Sequence, residues 1–163
     1  MLQYPDLVVP HGWHHIRVGP QIRMMPPGVP PEEAEAVIIL SPLLPRTPAI
    51  PEPAKLIDQT LDMEVRQRFE MLTRSEAKKV ESTAGLHGVA VEVSGYARPR
   101  ALTEKRIYVV YADPLVFYGV SYLASDTGYA RQNKVFWECA KSVRPFRGKI
   151  VPPVGLGPGE SYG

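Results

Sequence analysis

Between residues 106 and 146 the chain reads strand, tight turn, strand, turn, helix, and this order constrains the fold more than any other stretch. Residues 105–111 are rich in β-branched and aromatic side chains, which suit a pleated surface. Asp113-Pro114 makes the turn, and residues 115–123 run back. Both strands are apolar on both faces, which predicts central places in a sheet. Asp126 or Thr127 can then cap a helix, because a short oxygen-bearing side chain accepts hydrogen bonds from exposed first-turn amides. In that helix Tyr129, Phe136, Ala140 and Val143 share one face, and Pro145 ends it.

Upstream, ten of the eighteen prolines fall in residues 20–53, so no long helix runs through that region. Within it, Met24-Met25 followed by Pro26, Pro27 and Gly28 reads as a loop of polyproline character. Residues 36–40 form a short continuous apolar run, the pattern of a strand covered on both faces. The first helix begins near Pro53, a residue tolerated at the first helical position. Ile57, Leu61, Val65, Phe69 and Leu72 follow at spacings of four, four, four and three, which predicts one stripe facing the core, shared with Phe136, Ala140 and Val143. Val89, Val91 and Val93 alternate with Ala90, Glu92 and Ser94, the mark of a strand with one buried face. Residues 7–9 read as a short strand. Residues 75–83 carry no helix signal. The expected organisation is one domain over 1–147 with a proline-rich loop at 20–53, then a flexible glycine- and proline-rich tail over 148–163.

A chain of 163 residues suits one domain with a substantial core. Its formal net charge is +2, too small to argue for nucleic acid or an anionic surface. The charge is uneven: residues 1–92 hold 9 Lys/Arg and 12 Asp/Glu (net −3), and residues 93–163 hold 10 and 5 (net +5). A solvated face explains this balance, and an acidic partner is the alternative. One cysteine, Cys139, excludes an intrachain disulfide. The longest apolar run, residues 36–44, is broken by Ser41 and Pro42 and falls short of the roughly 20 residues a spanning helix needs. These features predict a soluble protein of a reducing compartment, the cytoplasm, without stable membrane insertion.

Chemistry-bearing residues are present, but no constellation forms. His11, His14 and His15 cluster in sequence, yet neighbours on a strand point to opposite faces, and metal ligation needs three or four converging ligands. Cys139 lies inside a helix without an activating neighbourhood, so it reads as a small core hydrophobe. Ser121 and Ser125 lack a nucleophile elbow. Glu32, Glu33 and Glu35 suit a solvated loop or helix start. Residues 155–159 imitate a phosphate loop in glycine count alone, without its lysine or following helix. No catalytic residue, cofactor or metal is therefore expected.

Five of the eight tyrosines (Tyr96, Tyr108, Tyr111, Tyr118 and Tyr122) fall on the predicted strands of the C-terminal half. Core filling accounts for most of them, with the hydroxyl reaching a polar partner. Tyr96 follows the parity of Ala90, Glu92 and Ser94, opposite the valines, and so stands on the less buried face as a partner-binding candidate. Met24 and Met25 are the second candidate, because methionine adapts to varied apolar partners.

The run Tyr118-Gly119-Val120-Ser121-Tyr122-Leu123-Ala124, with Phe136 and then Ser142-Val143-Arg144-Pro145-Phe146, resembles the closing segment of the PsbP-like superfamily. Its bacterial branch includes the DcrB-like proteins and the Eag chaperones, which hold the apolar helices of secreted effectors. The resemblance implies an α+β fold, an antiparallel β-sheet with two main helices packed on it. It also implies a non-enzymatic protein-binding domain, an adaptor or chaperone linked to bacterial secretion, whose partner is an apolar helix of an effector and which can form a homodimer. A scaffold or regulatory subunit of a larger assembly, and a small-ligand carrier or enzyme, are the alternative readings.

Overall fold

The computed structural model describes residues 2–30, 33–97 and 103–148. The expected tail lies outside the described residues from position 149 onward. The chain is α+β; the described residues form nine strands in one antiparallel sheet and two helices packed on it. The strands are β1 (His14–Val18), β2 (Gln21–Met25), β3 (Ala36–Leu40), β4 (Leu44–Pro45), β5 (Phe69–Arg74), β6 (Lys78–Glu81), β7 (His87–Ala97), β8 (Thr103–Ala112) and β9 (Val116–Ser125). Helix α1 (Pro53–Gln67) joins β4 to β5, and α2 (Asp126–Lys141) follows β9. The order across the sheet is β1-β2-β3-β9-β8-β7-β5, with β4 also pairing β9 and β6 also pairing β7.

β8 and β9 sit centrally, as their two apolar faces require. That same pattern places the helices on opposite faces. Ile107, Val109 and Tyr111 of β8 join Tyr118, Val120 and Tyr122 of β9 in the core under α2, with Phe136, Ala140 and Val143. Tyr108, Val110 and Phe117 join Val91 and Val93 in a second core under α1, with Ile57 and Leu61. The expected common stripe of the two helices is thus corrected: a sheet apolar on both sides needs a cover on each.

Three sequence expectations change at element ends. Helix α1 stops at Gln67, so its stripe holds only Ile57 and Leu61; Val65 is 45% and Leu72 54% exposed, while Phe69 is buried from β5. Helix α2 is capped by Ser125, whose Oγ accepts from Gly128 N at 3.1 Å, one residue earlier than expected. Residues 7–9 form no strand; they run beside the end of α2, where Arg144 N donates to Asp6 O (2.9 Å) and Val8 N to Ser142 Oγ (2.8 Å).

The α2 side is tied tightly. The Phe136 ring stacks on Tyr122, 4.9 Å between centroids, and meets Trp137 edge-on. Tyr111 OH donates to Ala140 O (3.0 Å), and Tyr122 OH donates to Gly128 O (2.9 Å). Gly128 is required by close approach, because a Cβ there would lie 2.1 Å from Glu35 O. The tyrosines therefore serve as core anchors whose hydroxyls satisfy helix carbonyls.

Candidate functional site: an apolar groove beside α1

The two faces of β9 carry different residues. Tyr118, Val120 and Tyr122 fill the core under α2, whereas the opposite parity carries Phe117, Gly119 and Ser121. Gly119 pairs with Val110 and Ser121 with Tyr108, so the sheet surface dips where Gly119 and Ser121 contribute little side chain. Helix α1 lies to one side of this dip. Residues 41–44, which connect β3 to β4 along the edge of β9, lie on the other.

The result is a cavity of about 170 Å³. Leu56, Ile57 and Thr60 line it from α1, and Tyr108 and Val110 from β8. Phe117, Gly119 and Ser121 line it from β9, and Ser41, Pro42, Leu43 and Leu44 close the far wall. A Cβ on Gly119 would meet Ser41 Cβ at 3.3 Å, so glycine keeps this part of the cavity open.

The charged groups around the groove, with Thr60 and Tyr108, bond to other protein groups. Thr60 Oγ1 donates to Leu56 O at 2.9 Å. Tyr108 OH donates to Glu64, which also forms an ion pair with Arg106. Arg106 bridges Glu104 as well (3.0 Å) and lies 3.9 Å from the centroid of the Phe69 ring. Burial, reinforced by the Glu64 carboxylate and opposed by Arg106, raises the Tyr108 pKa, so the phenol is neutral at ordinary pH. At the other end Arg46 stands 5.1 Å from the Phe117 centroid while Nη1 donates to Asp113 O. Such a groove offers apolar contact with a few hydroxyls at its margin.

Two wider clefts lie elsewhere. One of about 360 Å³ is lined by polar residues including Thr73, Ser94, Glu92 and Lys105. The other, about 540 Å³, lies between residues 8–13 and α2, over Cys139. Burial pushes the Cys139 thiol up to about 12, and the side chain is 2% exposed, the state of a core residue. Among the described residues, no three or more His, Cys, Asp or Glu side chains gather to hold a metal ion. No helix among them is long and apolar enough to cross a membrane.

The residues singled out in sequence do not form one surface. Met24 and Met25 are each 1% exposed. They lie in β2, not in an exposed loop, because Pro20 and Pro26 bound the strand without interrupting it. Met24 pairs with Ile38, which pairs with Tyr122, in the core under α2. Both methionines are therefore withdrawn as partner-binding residues. Tyr96 is half-buried on β7, paired with Glu70 and Thr103, on the face that carries Glu92 and Ser94. It lies four strands from Met24, roughly 19 Å at ordinary strand spacing. Nor is the stretch 20–53 a loop throughout, since it holds β2, β3 and β4. The groove residues were overlooked, although the alternation of Tyr118, Val120 and Tyr122 with Gly119 and Ser121 carried the signal.

No family model matches the chain, and no curated protein sequence matches it significantly. Among solved structures it is similar to PA94 from Pseudomonas aeruginosa, a protein of unknown function suggested to be a regulator. The TM-score is 0.50 at 10% identity, over 83% of this chain and 99% of that one. At that identity the likeness concerns the fold alone.

Proposed function

We propose that this chain is a non-enzymatic binding protein of the adaptor or chaperone type, which receives an apolar segment of a partner protein in the groove beside α1. The observation that carries this reading is the groove itself: an apolar depression floored by Gly119 and Ser121, with its neighbouring charges already paired. Its volume of about 170 Å³ is below the roughly 300–1,000 Å³ of drug-sized ligand sites and suits one or two apolar side chains. A helix that presents such side chains along one face fits this geometry. The resemblance of the closing segment to the PsbP-like superfamily narrows the partner to an apolar helix of a secreted effector. A regulatory subunit is the second reading, favoured by the role suggested for the Pseudomonas protein of similar fold.

The test is site-specific photo-crosslinking in the native cell. A photoreactive residue is placed at Thr60 or Ser121, and the joined peptide is sequenced by mass spectrometry. Crosslinks from both positions to one apolar segment of a second protein are expected. Crosslinks confined to a probe at Tyr96, with none from the groove, would move the binding surface to the polar face of β7.

A further inference from the structure

We infer that the polar cleft between β5 and the first turn of α2 binds a free α-amino acid, whose carboxylate is taken by Lys105 with the Thr73–Ser94 hydroxyl pair and whose ammonium is taken by Glu92. The site lies on the α2 face of the sheet, opposite the groove, and stands independently of the function proposed above.

Strand register builds the site. Thr73, Ser94 and Lys105 are successive cross-strand neighbours on β5, β7 and β8. Glu92 stands two residues along β7 on the same face, since it pairs with Ile107 of the core under α2. It is thus the diagonal neighbour of Lys105, roughly 7–8 Å away between Cα atoms. Ser75 holds the backbone of Glu92: its N donates to Glu92 O (2.8 Å), and its Oγ accepts from Glu92 N (2.9 Å). The cleft has a volume of about 360 Å³, within the roughly 300–1,000 Å³ of small-ligand sites.

Tyr129 keeps the two charges apart. Its hydroxyl donates to Glu92 Oε1 (2.7 Å), and its ring centroid lies 5.0 Å from Lys105 Nζ. Burial, reinforced by the Glu92 carboxylate, pushes the phenol's pKa up, so the ring carries no charge at ordinary pH. Arg74 at the rim is engaged by Asp58. Among the described residues, Lys105 Nζ and Glu92 Oε2 have no hydrogen-bond or ion-pair partner, and they do not pair with each other.

A cation and an anion held apart in one cleft suit a ligand that carries both opposite charges. An α-amino acid, whose nitrogen and carboxylate share one carbon, spans the gap with a charge-assisted hydrogen bond of about 2.8 Å at each end. In the Thr73–Ser94 pair one hydroxyl donates to the other, and the acceptor's own hydrogen is left for the ligand's carboxylate. A simple anion meets Glu92 and a simple cation meets Lys105, so the cleft disfavours either half alone.

The experiment is an amide NMR titration of the full chain with each of the free L-amino acids, and with acetate and methylammonium as the two halves of the ligand. At least one amino acid should give saturable shifts at Ser75, Glu92, Ser94, Lys105 and Tyr129, with acetate and methylammonium weaker by about tenfold or more. Lys105→Gln and Glu92→Gln should each weaken that amino acid by about tenfold or more, as loss of one charged hydrogen bond predicts, while the rest of the spectrum stays that of the wild type. Three results would overturn the site: no saturable shift at these residues with any amino acid, acetate binding as tightly as the amino acid, or undiminished affinity in either folded variant. The groove is probed by its own crosslinks on the opposite face, so each site can fail without the other.

Discussion

Arg106 of β8 forms an ion pair with Glu64 of α1 while its guanidinium lies 3.9 Å from the centroid of the Phe69 ring. Helix, sheet and the first residue of β5 meet at this one side chain. Arg106 is 11% exposed, so its partners matter more than those of a surface pair. Arg106→Ala should destabilise the chain by about 3–5 kcal/mol, because it strands Glu64 and Glu104 beside an apolar ring. Glu64→Gln should cost less, since Glu104 still neutralises the arginine. Chemical denaturation of both variants gives the comparison; an equal loss in each would contradict this account of the network.

Phe136 is fully buried between Tyr122 and Trp137. Phe136→Ala should cost about 3–5 kcal/mol through lost transfer energy and the cavity left behind. An unchanged melting temperature would show that α2 is not held by this stack.

Gly128 has Glu35 O where its Cβ would stand. Gly128→Ala should therefore destabilise by about 1–3 kcal/mol despite the better helix propensity of alanine, because backbone must move. Greater stability of that variant would place the first turn of α2 farther from β3.

High pH should loosen the α2 side. Burial pushes Tyr111 up to about 12 from 10.0, and Cys139 to about 12 from 9.0. Burial, aided by Asp113, pushes Tyr118 up to about 12. Each group holds its proton more tightly when folded than when unfolded. Their contribution is complete below the ordinary values and falls as pH rises from there towards about 12. Melting temperature should decline from about pH 9 upward, and tyrosinate absorbance should appear together with unfolding. Full tyrosinate absorbance in a folded chain would contradict the burial of these hydroxyls.

Much of the fold was legible in the sequence, because the signals were local. Residues 105–123 announced a central hairpin through their two-sided apolar character, and Phe136, Ala140 and Val143 announced the face of α2. Non-local information was harder to read. Phe69 and Leu72 continue the spacing of α1, yet Phe69 is needed in a strand beside β7, and pairing with Ala97 overrode the helical period. The prolines near Met24 and Met25 looked like a loop, but at a strand's ends they cost no ladder hydrogen bond. The groove depends on residues 41–44 folding back beside β9, a contact that no local pattern specifies. Its floor was readable in Gly119 and Ser121 once both parities of β9 are considered.

The most direct test of the groove as the binding site is methyl-resolved NMR of the full chain, titrated with a lysine-flanked helical peptide of leucine and alanine. Binding in the groove predicts shifts concentrated at the methyls of Leu44, Leu56, Ile57 and Val110, and their loss in a folded Ser121→Trp variant, whose indole fills the cavity. Shifts centred on Val8, Val9 and Val135 beside α2, or an unaltered titration in the Ser121→Trp variant, would contradict it.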